Sequence, residues 1–462
     1  MMGKLPSSRA LASVIFVGLS SPLLLGTASA AETKEVVVDA KISNESNTCL
    51  QCHGPLTPAL AAEWRQSAHA AKGVGCYECH RADKTNPGAF EHNGATITVI
   101  VSPKDCGSCH QAEVDQQKGS HHAKAGEILA SLDNFLGEVV GGAPAVAVGC
   151  FQCHGSTVKV LPGGEFDPAT WPNTGIGRIN PDGSAGSCSA CHTRHLFSKA
   201  QAREPAACGK CHLGPDHPQI EVYQESKHGI LWEATKQRLN LDNESWKPGI
   251  DYTAAPSCAT CHMGATQTQN VTHDVGDRIS WTLRPAVSTK INMVVFDDLS
   301  KMDVPEGQPL PKVGDENKGG DGKVRKVTQI FTWQDRRAHM QDVCTACHAS
   351  GLVRDFYKQF DNLVDLYNEK FAKPATAIMN ELYKNQKLTP AAMDEKLEWI
   401  YYELWPSRGP PRTPRRIDVR SGLRLVARHL RCSQDLLSEL HPRSERSRGR
   451  AARIRTPGQV CL

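Results

Sequence analysis

Residues 188–212 read CSACHTRHLFSKAQAREPAACGKCH. Two Cys-x-x-Cys-His motifs stand here only 20 residues apart, with a further histidine, His195, between them. Both cysteines and the histidine of such a motif fall at i, i+3 and i+4. Two thiols at that spacing match the two vinyl groups of a haem, and the histidine after them reaches its iron.

The same pattern recurs along the chain. Cys49/Cys52/His53, Cys76/Cys79/His80, Cys106/Cys109/His110 and Cys150/Cys153/His154 precede the quoted stretch. Cys188/Cys191/His192 and Cys208/Cys211/His212 lie in it, and Cys258/Cys261/His262 and Cys344/Cys347/His348 follow. These take 16 of the 18 cysteines. Zinc is the competing ligand, but it needs four donors arranged in pairs, and eight identical three-donor motifs do not divide that way. The reading is eight haem c groups. The first cysteines are 20 to 86 residues apart with no fixed period, which excludes a tandem array. Aromatic residues make up only 6% of the chain, so the porphyrins must supply much of the apolar interior. The expected fold is mainly α, with a haem-filled core, few short strands and long C-terminal helices.

Four segments are expected. Residues 1–30 resemble a signal peptide: Lys4 and Arg9, an apolar run from Leu11 to Leu25, and Ala28-Ser29-Ala30 as a cleavage site. Export to the periplasm follows, with no membrane span in the mature chain. Residues 31–350 form the octahaem domain. Weak alternation at Thr96–Val101 and Val158–Leu161 suggests short strands, and residues 130–148, 160–187 and 302–325 read as loops. Residues 351–405 are helical and suit oligomerisation. Phe356, Phe360, Leu363, Val364, Tyr367 and Phe371 share a face, Pro374 breaks or starts a helix, and a second run covers Pro390 to Leu404.

Residues 406–462 differ abruptly, with 14 Arg, no Lys and no Phe, Tyr, Trp, Met or Asn. A genuine basic tail is one origin, and a shifted reading frame in a GC-rich gene is the other; the composition favours the frame shift, or a disordered tail. Cys432 and Cys461 belong to no haem motif. The formal charge of +4 misleads, because residues 31–405 alone carry −8. Nucleic-acid binding is excluded on that balance, and a basic electron-transfer partner is favoured by steering.

Of 19 histidines, eight belong to motifs and His429 and His441 lie in the aberrant tail. Ser67-Ala68-His69-Ala70, Ser120-His121-His122-Ala123, Ser226-Lys227-His228-Gly229 and, more loosely, Arg337-Ala338-His339-Met340 share a pattern. It suits second axial ligands. The expected distal set is His69, His92, His122, His195, His228, His273 and His339, which leaves His121 and His217. Seven irons with two histidines carry electrons, and one open iron binds a small molecule. Asp216-His217-Pro218 adds a carboxylate and an imidazole suited to proton transfer.

Together with Gly214-Pro215-Asp216-His217-Pro218-Gln219, Ser120-His121-His122-Ala123 and Val271-Thr272-His273-Asp274, the eight motifs resemble hydroxylamine oxidoreductase over residues 40–405. The resemblance implies a mainly α-helical periplasmic homotrimer that oxidises hydroxylamine to nitric oxide or nitrite. Electrons pass to a multihaem cytochrome. The fourth haem, on Cys150, Cys153 and His154, is then the five-coordinate catalytic one, with Asp216 and His217 over it. In that family a C-terminal tyrosine crosslinks to this haem in a neighbouring subunit. No tyrosine follows Tyr402 here, and crosslink-free relatives are associated with reduction of nitrite or hydroxylamine instead. An electron-transfer cytochrome with every iron capped is the non-catalytic alternative.

Overall fold

The computed structural model describes residues 41–128, 142, 144–213, 218–282, 287–319, 322–391 and 393–403. The expected signal segment, the Arg-rich tail and Asp216-His217 lie outside them.

Short helical turns carry most motifs. Asn44–Leu56 holds the first, capped by Ser43, whose hydroxyl accepts from Ser46 N. Cys76–His80 holds the second. Cys258–His262 holds the seventh, and Ser257 caps it by accepting from Thr260 N. The helix Trp333–Thr345 leads into the eighth, with Thr332 and Asp335 forming a reciprocal cap. Pro103 and Pro205 sit in the first turns of the helices Pro103–Gly107 and Pro205–Gly209, where a missing N–H costs nothing.

Strands β1 (Ala89–His92) and β2 (Ala95–Thr98) form a hairpin. Asn93 and Gly94 join them, both at positive φ, +47° and +84°. Asn-Gly is the pair that such a two-residue turn demands, and it sets His92 at a strand end.

The larger sheet corrects part of the expectation that residues 302–325 form an exposed loop: 302–305, 316–318 and 324–325 are strand, while 306–315 lie outside any strand and are mostly exposed. Strands β3 (Trp281–Thr282), β4 (Thr289–Phe296), β5 (Lys301–Pro305), β6 (Glu316–Lys318) and β7 (Val324–Phe331) are joined antiparallel. Strand β4 pairs with β5 on one side, Val294 opposite Met302, and with β7 on the other, Val294 opposite Ile330. Val294, Phe296, Val304 and Val327 form its buried core. The charges that suggested a loop are the solvent side of a half-exposed antiparallel sheet. The expected strand at Val158–Leu161 is absent; Val160 makes only an isolated bridge to Phe166.

The helix Ser350–Tyr367 passes through a wider turn, Asn368–Ala372, into the helix Lys373–Lys384, with Pro374 in its first turn. Tyr367, Phe371 and Ala372 are buried against Val287. Asn368 clamps the start of β4, donating to Ser288 O at 2.8 Å and accepting from Ser288 N at 2.9 Å. The last described helix is Lys396–Glu403. It is shorter than the expected run from Pro390, because Met393 adopts φ +62°, which a helix cannot accommodate. No helix among the described residues is long and apolar enough to cross a membrane.

Candidate haem sites

Six ring contacts among the described residues each join one motif histidine to one histidine from elsewhere in the chain. His53 faces His92 at 6.2 Å between ring centroids, His80 faces His195 at 6.5 Å, and His110 faces His69 at 6.2 Å. His192 faces His273 at 6.5 Å, His212 faces His122 at 6.1 Å, and His348 faces His228 at 6.0 Å. Metal–imidazole bonds run at about 2 Å, so an iron held between two rings needs centroids roughly 6 Å apart. Ordinary aromatic pairs also span such distances. Chance contact does not explain why every pair takes one member from each class.

The recurring serine pattern has a local cause. Ser67 caps the helix Ala68–Ala71 by accepting from Ala70 N, and Ser226 caps Lys227–Thr235 by accepting from Gly229 N. The histidine is thereby fixed at the second helical position, in a turn that cannot fray. The small residue after it is required by packing. A Cβ on Gly229 would stand 2.0 Å from Tyr223 O. In Ser120-His121-His122-Ala123 the two histidines diverge. His122 faces His212, while His121 Nε2 lies 3.0 Å from Asp303 Oδ2 on β5. Around His121 a charged cluster of Lys124, Asp274, Lys301, Asp303 and Arg336 encloses a cavity of about 20 Å³.

Second contacts orient the motif rings. His80 Nδ1 is 2.9 Å from Thr98 O, and His262 Nδ1 is 3.3 Å from Val275 O. Each backbone carbonyl leaves the other ring nitrogen for a metal. Burial and the facing His212 push His122 down to about 4, and burial with His273 does the same to His192. Neutral imidazole is the ligating form. Burial pushes the Cys261 thiol up to about 12. None of the sixteen motif cysteines is in a disulfide.

The residues present fit haem. His69, His273 and His339 each bury Nδ1 with no hydrogen-bond partner, and buried polar atoms are rarely left so. Large apolar side chains beside the motif and facing histidines stand open to solvent. Leu56 is 74% exposed, Ile230 57%, Leu352 60% and Phe356 59%. A porphyrin packed on each ligand pair would cover such surface.

Motif cysteines also meet one another. The thiols of Cys106 and Cys188 are in hydrogen-bonding contact, as are those of Cys208 and Cys258, and of Cys153 and Cys211. Cys49 is within electrostatic reach of Cys76, Cys79 of Cys106 and Cys109, Cys191 of Cys208, and Cys261 of Cys344. The attachment points thus run in the order first, second, third, fifth, sixth, seventh, eighth, and the fourth branches from the sixth. The fourth motif, ending the helix Phe151–His154, is walled by close backbone. His154 O accepts from Gly177 N at 3.0 Å, and a Cβ on Gly175 would stand 2.0 Å from Gly155 N.

Cys52, Cys109 and Cys347 are exposed, whereas the other thirteen motif cysteines are partly covered. Each is the second cysteine of its motif, and the histidine after it, His53, His110 or His348, is exposed as well. The physical reason is the direction of packing. In these motifs the first cysteine takes the inward position: Cys49 is within electrostatic reach of Cys76, Cys106 meets Cys188, and Cys344 is within electrostatic reach of Cys261. The second cysteine, three residues on, is rotated about 60° around the helix from the first, toward solvent.

The remaining expected ligand, His339, lies on the helix Trp333–Thr345, with Nδ1 3.6 Å from Asp277 Oδ2. That helix packs on the turn Cys258–His262. Asp216 and His217 lie outside the described residues, in the short connection between His212 and Pro218; Ile220 N donates to His212 O at 3.0 Å just beyond it. Sequence reasoning did not single out Arg278, a charge buried against the seventh motif. Its only sequence signal is a lone arginine in an otherwise ordinary turn.

The chain is similar to known multihaem cytochromes. A family model described as "Seven times multi-haem cytochrome CxxCH" matches residues 182–301. One for cytochrome c554 and c-prime matches residues 24–81 and 105–193. The chain is 30% identical over 382 residues to a probable nitrite reductase-hydroxylamine oxidoreductase fusion protein of Kuenenia stuttgartiensis, covering 74% of this chain and 38% of that protein. It is 26% identical over 291 residues to a high-molecular-weight cytochrome c of Nitratidesulfovibrio vulgaris, covering 56% and 48%. The chain therefore spans between about two-fifths and one-half of the length of these curated relatives. Among solved structures, a hypothetical multiheme protein has a TM-score of 0.65 at 27% identity, covering 82% of this chain and 91% of its own. A reducing HAO-like protein complex of Kuenenia stuttgartiensis has a TM-score of 0.56 at 19% identity, covering 86% and 84%, and shares the fold.

Proposed function

We propose that this chain, a multihaem cytochrome c, carries eight haems and oxidises hydroxylamine to nitric oxide or nitrite at the haem held by Cys150, Cys153 and His154. The observation that carries the reading is the set of six histidine pairs, each spaced for one iron. Haem supplies one-electron acceptance and, where an axial position is open, a binding site for a small nitrogen compound. The chain's own residues do the rest.

His53 with His92, His80 with His195, His110 with His69, His192 with His273, His212 with His122, His348 with His228, and His262 with His339 would hold seven irons in one coordination state. Keeping the ligands unchanged through redox suits repeated electron passage. The contact of Cys153 with Cys211 sets the fourth motif against the sixth, and the chain runs from the sixth directly into Asp216 and His217. Those two side chains would orient the substrate and take up its protons, His217 in the imidazole form that accepts one near neutral pH. A multihaem cytochrome would take the electrons onward from a periplasmic homotrimer.

The 30% identical relative is named for both a nitrite reductase and a hydroxylamine oxidoreductase. A second reading is reduction of nitrite or hydroxylamine, in line with the first half of that relative's name. The two are separated by assaying the haem-loaded protein in both directions, with hydroxylamine plus an oxidised cytochrome, and with nitrite plus a reduced low-potential donor. The His217→Ala variant is expected to lose hydroxylamine oxidation by about 100-fold or more with unchanged haem content. Unaltered oxidation in that variant removes His217 from the mechanism.

A further inference from the structure

The helices of the first, third, seventh and eighth motifs each take an N-terminal cap from the residue just before them: Ser43, Ser102, Ser257 and Thr332. The helix of the second motif, Cys76–His80, has Gly75 in that place, which has no side chain to offer. The missing hydroxyl comes from the first motif's helix. Ser46 is fully buried, and its Oγ accepts from Tyr77 N at 3.0 Å and donates to Glu78 Oε2 at 2.8 Å. The same Glu78 oxygen accepts from Gly75 N at 2.8 Å. The unpaired N–H groups at the start of one attachment helix are thus satisfied with the help of a side chain from another. Glycine at 75 admits that side chain, since a Cβ there would stand 2.3 Å from Ser46 Oγ.

The position of the bond matters. Ser46 lies one helical turn before Cys49, and Glu78 stands between Cys76 and Cys79. The bond therefore joins the two attachment turns themselves, and Cys49 is within electrostatic reach of Cys76. A second tie is indirect: Trp64 Nε1, on the helix Pro58–Arg65, donates to Val74 O at 3.0 Å. Hydroxyl-to-carboxylate bonds also stand near other motifs. Ser102 Oγ donates to Asp182 Oδ2 at 2.6 Å, and Thr266 and Thr268 donate to Asp342. In those, one partner sits on a loop. Ser46 and Glu78 both stand on helices that carry the cysteines.

We propose that Ser46, through Glu78, is a positioning residue for electron transfer between the first and second haems: its hydroxyl fixes the separation and orientation of the two helices to which those haems are bonded. The inference rests on the reading that both motifs carry haem, and goes beyond it. The step moves one electron from a reduced centre to an oxidised one, and no bond forms or breaks. What the chain controls is placement, and small misplacements are costly. Each haem is bonded to its helix through two cysteines, so a shift between the helices shifts the haems with them.

The test uses the haem-loaded full chain. A radiolytic pulse adds about one electron per chain, and absorbance follows its redistribution. EPR of the oxidised protein reads the magnetic interaction between neighbouring haems, and peptide masses establish what the cysteines carry. Ser46→Ala is expected to load fully, to slow one redistribution phase by about tenfold or more, and to alter the EPR of two haems while the others stay. Glu78→Gln removes the charge but keeps an oxygen that accepts from Gly75 N and Ser46 Oγ, and is expected to behave as the parent. A loaded Ser46→Ala with parent kinetics and EPR overturns the proposal. Glu78→Gln slowed as much as Ser46→Ala also overturns it, because charge rather than placement would then set the rate. Should Ser46→Ala fail to load, Gly75→Ala decides, since its Cβ displaces the same hydroxyl: a slowed phase supports the proposal, and an unchanged one overturns it. A wild-type Cys49–Cys52 or Cys76–Cys79 peptide without haem mass overturns the underlying reading and the inference with it.

Discussion

His122 faces His212 with ring centroids 6.1 Å apart, while its chain neighbour His121 turns away to Asp303, 3.0 Å from its carboxylate. One dipeptide thus serves two purposes, and only one of its rings is spaced to share an iron with a motif histidine. His122→Ala should convert one haem of the loaded protein from low to high spin. His121→Ala should leave every haem low or high spin as in the parent. EPR of the oxidised protein reads both, and the reverse pattern would show that the ligand assignment is inverted.

Glycine substitutions should separate two kinds of constraint. Gly94 is held at φ +84° with open space around the missing Cβ, so Gly94→Ala meets only backbone strain, about 1 kcal/mol. At Gly175 the backbone of Gly155 lies where a Cβ would go. Gly175→Ala must push the wall of the fourth motif apart, at about 3 kcal/mol or more. Thermal unfolding and haem stoichiometry should show a slightly lowered Tm with full haem for the first, and poor yield or a missing haem for the second.

Arg337 grips Asp361 through two hydrogen bonds, 2.6 Å and 2.8 Å, and Trp281 Nε1 donates to the same carboxylate at 2.9 Å. The pair ties the helix Ser350–Tyr367 to the helix of the eighth motif. Burial alone would raise the Asp361 pKa, but these donors overcome it and hold the carboxyl below its ordinary value. A depressed folded pKa stabilises the protein above the unfolded carboxylate value of about 3.9, and that contribution is lost as pH falls toward the folded value. Asp361→Asn should therefore cost about 2 kcal/mol at neutral pH, discounted for the partial exposure of both groups. It should also flatten the fall of Tm between about pH 4 and the folded pKa. An unchanged acid limb would assign the loss of stability to other carboxylates.

Much of the site was legible because its chemistry is local. A Cys-x-x-Cys-His turn needs no tertiary information, and the serine that caps a turn ahead of His69 or His228 is visible in four residues. The motif does not say which way it faces, however, and the outward turn of Cys52, Cys109 and Cys347 depends on which neighbouring motif packs against each helix. His92, His195 and His273 were reached only by elimination, since nothing adjacent in sequence marks them. Their partners are supplied by the hairpin turn at Asn93-Gly94 and by loops packed from distant segments. The sheet of β3–β7 was hidden for a different reason. Lys and Asp on its solvent side imitate a loop, and only the pairing of Val294 with Met302 and Ile330 reveals the alternation. Arg278 could not be found without coordinates, because what distinguishes it is a nitrogen left without a partner.

The measurement that tests the central claim most directly is rapid mixing of the fully oxidised, haem-loaded protein with hydroxylamine in the absence of oxygen, following the haem absorption bands. The account predicts that several haems of each chain become reduced in the first turnover, because electrons released at the fourth site spread along the connected series. Haems that stay oxidised with hydroxylamine, yet are all reduced by a strong chemical reductant, would contradict it.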